Sequence, residues 1–247
     1  MRYELIGNSL SNYEVGILLP TYREAENISN LIDDIESLNL NASILVIDDT
    51  SPDETEAIVQ QKQEKYNNIL LCIRPKKSGL GTAITDGFKF YLSQEPPPKF
   101  VFTMDSDYSH NPKDIPRLLE QMREEDCAIV IGSRYVKEGR IEGWPISRKI
   151  LSKTANTIAK TLLGLKPKDC TSGFRCYSTK FLKTAINNFH SHTYEIQIET
   201  IRQASLKHFS VKETPVLFVN RKTGKSKLSW NEIQSFLSYT LKAISRS

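Results

Sequence analysis

Short apolar runs punctuate the first 133 residues, and each run ends abruptly at polar or turn-forming residues. The segments between them are polar with apolar residues at helical spacing, as in residues 27–38. Strands that are apolar throughout and alternate with helices are typical of a sheet buried on both faces. The pattern predicts an α/β fold with a mainly parallel, doubly wound sheet. Its strands would be VGILLP (15–20), ILVID (44–48), ILLCI (69–73), FVFTM (100–104) and AIVIG (128–132).

The second half of the chain has a looser pattern. It predicts helices at residues 147–164 and 195–206, a strand at 215–219 and a last helix from Trp230 to Ile244. An apolar stripe on the last helix is more typical of core packing than of a membrane anchor. The stripe comprises Ile233, Phe236, Leu237, Leu241 and Ile244.

Two carboxylates stand one residue apart where the run FVFTM ends, at Asp105 and Asp107. Open α/β sheets bind ligands at the carboxyl ends of their strands. Paired hard oxygens there suit Mg²⁺ or Mn²⁺ held jointly with a substrate diphosphate, which indicates nucleotide-sugar chemistry. The same stretch is rich in Asp, Ser, Asn and Pro, so an ordinary turn is the alternative.

The first two strands end in residues that suit a nucleoside. LPTYREAEN breaks the first strand at Pro20 and places Tyr22 and Glu24 in the following turn, where a ring can stack on a base. VIDDTSPDET ends the second strand at two aspartates, and Asp49 could accept hydrogen bonds from a ribose or a base. For Asp53, further along this motif, we expect helix capping instead. The glycines of KSGLGTAITDGF (77–88) would allow a diphosphate to approach the backbone, or belong to an ordinary loop.

The two halves of the chain differ in charge. Residues 1–133 carry 12 basic and 22 acidic side chains, a net −10, whereas residues 134–247 carry 21 and 7, a net +14. The second half therefore suits phosphate-bearing substrates, an anionic membrane or nucleic acid. Interleaved aromatic residues are sparse there, which argues against nucleic acid. The scattered cysteines favour free thiols, and we find neither a leader sequence nor a membrane-spanning run.

Eight motifs of the chain occur together, in order and at similar spacing, in one enzyme family. They are LPTYREAEN, VIDDTSPDET, GLGTA, MDSDYSH, GSRY, GWPISRKILS, CTSGFRCY and KSKLS. From about residue 14 to 240 the chain thus resembles the polyprenol (dolichol) phosphate mannosyltransferases, a branch of the family 2 glycosyltransferases with the GT-A fold. A dinucleotide-binding dehydrogenase would instead carry G-x-G-x-x-G after the first strand, where this chain has Pro20, Thr21 and Tyr22.

The resemblance implies an inverting, metal-dependent transfer of mannose from GDP-mannose to dolichyl or polyprenyl phosphate. Asp105 and Asp107 would hold Mg²⁺ or Mn²⁺. Many prokaryotic members have Gln two residues after the second Asp, where this chain has Ser109, so the third ligand would be Ser109 or a water. Asp107 and Arg134 would be the catalytic residues. The family's donor-binding positions correspond here to Pro20, Tyr22, Glu24, Ile47, Asp49, Asp105, Ser106, Asp107, Arg134, Arg221 and Lys227. Thr50 and Glu54 depart from the family's second motif.

The resemblance also assigns the acceptor phosphate to the basic half. Arg148 and Ser152 are four residues apart, so on a helix they share one face. Together with Arg134 they would cradle the phosphate, and Arg175 would support the pocket. A polyprenyl phosphate oxygen is already anionic at neutral pH, so it can attack the donor without a general base, and catalysis rests on positioning and electrostatics.

We expect a single domain over residues 1–247. Residues 1–133 would form its nucleotide- and metal-binding half, and residues 134–247 its acceptor side with the C-terminal helix. The protein would be cytoplasmic and peripherally associated with the cytosolic face of a membrane, alone or through a membrane-anchoring subunit. Two alternatives stay open. One is the same chemistry with UDP-glucose or another nucleotide sugar, and the other is a non-catalytic module that binds anionic lipid.

Overall fold

A central sheet of eight strands organises the protein, whose computed structural model describes residues 3–221 and 230–244. All five strands predicted in the first half are present, and their ends lie within two residues of the predicted ones. The elements of this half are β1 (Glu4–Gly7), β2 (Val15–Thr21), α1 (Ala25–Glu36), β3 (Ala42–Asp48), α2 (Thr55–Lys65), β4 (Ile69–Ile73), α3 (Leu80–Leu92), β5 (Phe100–Thr103), α4 (Ile115–Glu124) and β6 (Ile129–Ser133).

The described part of the second half, residues 134–221 and 230–244, contains the predicted helices and four short strands. The strand predicted at 215–219 is divided, because one strand ends at Pro215 and the next begins at Leu217. The elements are β7 (Arg140–Glu142), α5 (Ile146–Leu163), β8 (Arg175–Ser178), α6 (Thr179–Ala185), α7 (Ile196–Leu206), β9 (Val211–Pro215), β10 (Leu217–Val219) and α8 (Trp230–Ile244).

The strand order of the large sheet is β1-β4-β3-β2-β5-β8-β6-β9. Strands β4, β3, β2 and β5 are parallel, as are β6 and β9, whereas β8 runs antiparallel between β5 and β6 and β1 is antiparallel to β4. The mainly parallel α/β fold is therefore confirmed. Since β2, β3 and β5 are parallel neighbours, their carboxyl ends meet at one edge, and the motifs that follow them lie together.

Helices cover both faces of the sheet. In β2, Leu18 packs into one apolar cluster, whereas Ile17 and Leu19 pack into the cluster on the opposite face. The predicted stripe of α1 is buried in the second cluster at Ile28, Leu31, Ile32 and Ile35. Burial on both faces explains why the strands read as continuous apolar runs rather than alternating ones.

The core-packing prediction for α8 is only partly correct. Phe236 packs against the core, but Leu241 and Ile244 are 67% and 41% exposed. The side chains of Ile233 and Leu237 lie outside the described residues. Within the described part of the chain, no helix combines the length and apolar character needed to cross a bilayer.

Candidate active site

The loop after β5 holds Asp107 in a dense set of polar contacts. Its Oδ2 lies 2.7 Å from Arg221 Nη2, and its Oδ1 accepts hydrogen bonds from the Ser109 backbone N–H, at 3.0 Å, and from the Ser109 hydroxyl. Burial alone would raise the pKa of Asp107, but the Ser109 hydrogen bonds and the Arg221 charge hold it below its ordinary value. The carboxylate is therefore ionised at neutral pH.

Strand β10 brings Arg221 to this loop. The Val219 N–H donates to the Ser109 carbonyl at 3.0 Å, and Phe218 forms an isolated bridge with His110. Arg221, two residues after β10, thus lies directly beside Asp107. Residues 109–110 and 218–219 are about a hundred positions apart, so tertiary pairing alone creates this contact.

Asp105 faces the neighbouring cavity, and its side chain is 36% exposed. His110 Nε2 lies 3.9 Å from Asp105 Oδ2, inside a cluster with Phe174 and Phe218. Burial and the Arg134 charge lower the pKa of His110 to about 4, so the ring is neutral at pH 7. Gly173 leaves room for Asp105, because a Cβ on Gly173 would come within 3.2 Å of Asp105 Oδ1.

The donor atoms of this loop fit a divalent cation. Asp105 and Asp107 offer hard carboxylate oxygens, and the Ser109 hydroxyl, whose proton points to Asp107, keeps its oxygen lone pairs. Over residues 3–221 and 230–244 no cluster of three or more His, Cys, Asp or Glu could hold a metal by itself. A cation here would therefore complete its shell with substrate and water oxygens, as Mg²⁺ and Mn²⁺ do in nucleotide sites.

Five of the donor-binding positions implied by the resemblance lie at or just after the ends of β2 and β3, namely Pro20, Tyr22, Glu24, Ile47 and Asp49. Pro20 and Ile47 are paired in the register of the two strands, and the Ser106 hydroxyl donates to the Pro20 carbonyl at 3.0 Å. That bond ties the nucleoside motifs to the loop of Asp105 and Asp107. The Tyr22 ring lies 4.1 Å from Lys77 Nζ, and Glu24 is buried, where it accepts a hydrogen bond from Asn27.

Asp49 is held by an arginine that sequence reasoning missed. Arg74 Nε lies 2.5 Å from Asp49 Oδ1, and its Nη1 lies 3.1 Å from Asp86 Oδ2. Burial opposes the charge of Arg74, but these two carboxylates raise its pKa above the ordinary value. Asp49 also accepts the Ser78 N–H at 3.1 Å. Arg74 follows β4 directly, so the strand-end argument, applied to that strand, would have identified it.

Three neighbouring features have structural explanations. Asp53 accepts the N–H groups of Ala25 and Thr55, the first residues of α1 and α2, although it is not itself the N-cap residue. Thr50, which departs from the family motif, has a left-handed backbone with φ of 53° and donates to the Arg74 carbonyl. Gly81 packs on the backbone of residues 191–193, since a Cβ would come within 2.5 Å of a carbonyl oxygen.

A cavity of about 350 Å³ extends from Asp105 along helix α5. Arg148 and Ser152 line it from one face of α5, as their spacing predicts, and Arg221 lines it from the side of Asp107. The Ser152 hydroxyl accepts from Tyr135 at 2.8 Å, and Arg148 donates to Asn220 at 3.1 Å. The rest of the wall is largely apolar and comprises Leu151, Ala155, Ile158, Ile198, Phe218 and Phe236.

Arg134 also lines this cavity, but much of its guanidinium is already bonded. Its Nε and Nη2 each lie 2.7 Å from an oxygen of Asp169, and Nη2 donates to Thr171 at 2.7 Å. Asp169 has no exposed surface and was not identified from the sequence. Of the side-chain nitrogens of Arg134, Nη1 alone makes no hydrogen bond within residues 3–221 and 230–244. It is the part of the guanidinium still available to a ligand.

The structure thus brings the donor and acceptor residues predicted from the sequence to adjoining sites, with two qualifications. Lys227 lies outside the described residues. Arg175, predicted to support the acceptor pocket, is fully buried in β8 and donates to the carbonyls of Cys170, Ser172 and Gln197. It orders the loop that carries Asp169 and does not itself line the cavity.

Comparison with known proteins agrees with this geometry. The sequence model named "Glycosyl transferase family 2" matches residues 16–185, which span the sheet motifs, Asp105, Asp107 and Arg148. The chain belongs to glycosyl transferase family 2. It is therefore a glycosyltransferase, and a non-catalytic lipid-binding module is no longer a competing interpretation.

Two curated relatives in this family act on polyprenyl phosphates according to their names. The polyprenol monophosphomannose synthase of Mycolicibacterium smegmatis is 36% identical over 220 residues, covering 88% of this chain and 82% of the relative. The undecaprenyl-phosphate mannosyltransferase of Micrococcus luteus is 35% identical over 214 residues, covering 86% of each. The resemblance to this branch of the family is thereby confirmed.

Solved glycosyltransferase structures share the fold at low identity. Glucosyl-3-phosphoglycerate synthase from Mycobacterium tuberculosis, solved with Mn²⁺, UDP and glucosyl-3-phosphoglycerate, gives a TM-score of 0.65 at 16% identity and covers 94% of this chain and 79% of its own. The mannosyltransferase PcManGT from Pyrobaculum calidifontis, solved with GDP-Man and Mn²⁺, gives a TM-score of 0.64 at 12% identity. This match covers 98% of the present chain and 68% of PcManGT. The fold is therefore GT-A.

Proposed function

We propose that this glycosyltransferase transfers mannose from GDP-mannose to a polyprenyl phosphate, with inversion at the anomeric carbon. The observation that carries the proposal is the cavity beside Asp105, because it combines an acidic end, several arginines and an apolar wall. A polyprenyl phosphate has matching parts, an anionic head and a hydrocarbon chain. The names of the two curated relatives support the same acceptor and sugar.

Each group of residues has a separate task in this proposal. The nucleoside lies on the ends of β2 and β3, where Asp49 and Glu24 offer acceptors to the N–H groups of guanine or to ribose hydroxyls. Arg221 and Lys227 contact the donor diphosphate. Asp105 and Asp107, with Ser109 or a water, hold Mg²⁺ or Mn²⁺, which supplies positive charge to the departing diphosphate. Arg134, Arg148 and Ser152 hold the acceptor phosphate.

The reaction then needs positioning more than proton transfer. An acceptor phosphate oxygen attacks the anomeric carbon as the bond to GDP breaks, so the α-linked donor gives a β-linked mannosyl phosphate lipid. The attacking oxygen carries no proton at neutral pH, and His110, neutral and buried, is not required as a base. The arginines offset the repulsion between the two phosphate-bearing substrates and hold the oxygen in line.

A donor panel tests the function directly. The protein is incubated with a short-chain polyprenyl phosphate and, in turn, GDP-mannose, UDP-glucose and other nucleotide sugars, and the lipid product is measured together with its anomeric configuration. We expect a product with GDP-mannose and a β-linkage. A product with UDP-glucose alone would favour the second donor, and the absence of a lipid product with every donor would refute the proposed reaction.

Replacement of Arg148 by Ala should impair acceptor use and leave donor binding intact. A charge-assisted contact of this kind contributes about 1.5 to 3 kcal/mol, so we expect acceptor kcat/KM to fall about ten- to a hundredfold. GDP affinity, measured by calorimetry, should stay nearly unchanged. Lys160→Ala, an exposed basic position on the same helix that does not line the cavity, is the matched control. Equal losses for GDP and acceptor would assign Arg148 to the donor side.

We also propose that the protein approaches its lipid acceptor through a peripheral contact of α5 with an anionic membrane. Ile146 and Ile150 are 77% and 60% exposed, and Lys149 and Lys153 lie at helical spacing beside them. Apolar side chains flanked by lysines are typical of helices that lie in the bilayer interface. A membrane-anchoring subunit would add to this contact, and the cytosolic face supplies the anionic lipid.

Replacement of Ile150 by Asp should therefore weaken binding to anionic vesicles. Loss of one apolar side chain that would insert into the bilayer and addition of a negative charge together predict about a tenfold loss of vesicle binding in sedimentation. Kinetics with a water-soluble short-chain acceptor should not change. Leu162→Asp, which alters an exposed apolar residue on another face of α5, is the control. Equal loss in both variants would contradict the assignment of this face.

A further inference from the structure

We propose that Trp144 is a positioning residue for the acceptor phosphate, because its indole ring holds Arg134 and Arg148 side by side at the basic end of the cavity. The inference rests on the proposed function, since the phosphate in question is that of the lipid acceptor. Trp144 lies in the GWP turn just before α5 and is 8% exposed.

Both guanidiniums lie over the same ring. The Cζ atom of Arg148 is 4.3 Å from the indole centroid, and that of Arg134 is 5.3 Å from it. Phe218 packs edge-to-face against the indole, with 5.0 Å between ring centroids and 68° between the planes. All four side chains line the cavity beside Asp105. The ring is thus fixed by packing, and both guanidiniums lie against it at the cavity.

The arrangement solves an electrostatic problem. Two arginines that share a buried site repel each other, and burial, Arg221 and Arg134 all lower the pKa of Arg148. Asp169 neutralises Arg134, but Arg148 forms no ion pair with a carboxylate anywhere in residues 3–221 and 230–244. An aromatic face attracts a cation without cancelling its charge. Trp144 therefore stabilises Arg148 and leaves its charge available to an incoming anion.

The face of the indole, rather than its N–H, makes these contacts. Nε1 is buried and has no hydrogen-bond partner among the described residues. A phenyl ring offers the same kind of face without that donor, whereas leucine fills similar space without a π-system. The inference therefore predicts that Phe can replace Trp144 and that Leu cannot.

Steady-state kinetics with a short-chain polyprenyl phosphate separate these cases. We expect Trp144→Leu to raise the acceptor KM about tenfold or more and to leave the donor KM within about twofold, while Trp144→Phe stays within about threefold of the wild type for both. Phe209→Leu is the matched control, because it removes an edge-to-face pair with Phe181 at 5.6 Å, far from the cavity. It should lower the melting temperature and leave both KM values unchanged.

Equal acceptor KM values for the Phe and Leu variants would overturn the inference, as would parallel rises of donor and acceptor KM. A fluorescence titration gives a test that needs no turnover. The chain has two tryptophans, so in a Trp230→Phe background the emission of Trp144 should change on addition of the short-chain polyprenyl phosphate. The Arg148→Ala variant in that background should shift the response to about tenfold higher ligand.

The two proposals fail in different ways. If the wild type transfers no sugar from any donor but its Trp144 fluorescence still reports the polyprenyl phosphate with Arg148 dependence, the proposed reaction is wrong and the positioning role stands. If transfer proceeds and neither the KM values nor the fluorescence respond as described, the reaction stands and the role of Trp144 is refuted.

Discussion

Replacement of Asp107 by Ala is expected to lower the rate of sugar transfer by at least about a hundredfold, the loss of roughly 3 kcal/mol or more that accompanies removal of a main electrostatic stabiliser. Two effects combine. The change removes one of the two hard oxygen ligands, and it leaves Arg221, 2.7 Å from Asp107 Oδ2, without that carboxylate. The measurement is kcat with saturating GDP-mannose and acceptor.

Matched variants and metal removal separate the metal role from damage to the loop. Tyr108 lies in the same loop as Asp107, and its hydroxyl donates to Asp34 Oδ2 at 2.7 Å in an exposed contact. Asp34→Asn alters this contact and should leave kcat within about twofold, as is usual for exposed sites. Wild-type protein in EDTA should lose activity, and Mn²⁺ or Mg²⁺ should restore it in the wild type but not in Asp107→Ala. Full activity in EDTA would contradict the metal role of this loop.

Strands β2 to β6 were predictable because they are buried on both faces, whereas β1, whose residues are mostly exposed, was not predicted. Strands buried on both faces are uninterrupted apolar runs, and ILLCI at residues 69–73 gave both ends of β4 correctly. Strand β8 was not predicted, since it has four residues and begins with Arg175. A buried arginine in a central strand is possible only because carbonyl groups accept its N–H groups. One of them, the Gln197 carbonyl, is 22 positions away and does not show in local sequence.

The candidate site likewise contains residues that local sequence identifies and residues that depend on distant partners. Residues at the ends of β2, β3 and β5 were identified because a parallel sheet places those ends at one edge. Asp169 and Trp144 were both missed. Trp144 lies in a turn, where no regular spacing of apolar residues marks it, and the partner of Asp169 is distant in sequence. Asp169 pairs with Arg134 across 35 positions. The family resemblance supplied Arg134 itself, and the structure adds that this arginine is held in place before any substrate arrives.

Replacement of Asp169 by Asn is expected to destabilise the protein by about 3 to 5 kcal/mol, because it leaves Arg134 buried without its counter-charge. Asp169 has no exposed surface and accepts hydrogen bonds from Arg134 Nε and Nη2, each at 2.7 Å, and from the backbone N–H groups of Arg134 and Ser172. Urea unfolding at neutral pH measures the loss. Asp114→Asn, which breaks an exposed pair with Arg117, should cost only about 0 to 1 kcal/mol.

The pH dependence of the stability difference between wild type and Asp169→Asn gives a second check. Burial alone would raise the pKa of Asp169, but Arg134 and the backbone N–H groups hold it below its ordinary value of 3.8. A lowered pKa in the folded state adds stability that is present above the ordinary value and is lost as the pH falls through the folded one. The gap between wild type and Asp169→Asn should therefore be widest near neutral pH and narrow below pH 3.8. A gap that stayed constant into acid would mean that lost packing, rather than the lost charge, accounts for the destabilisation.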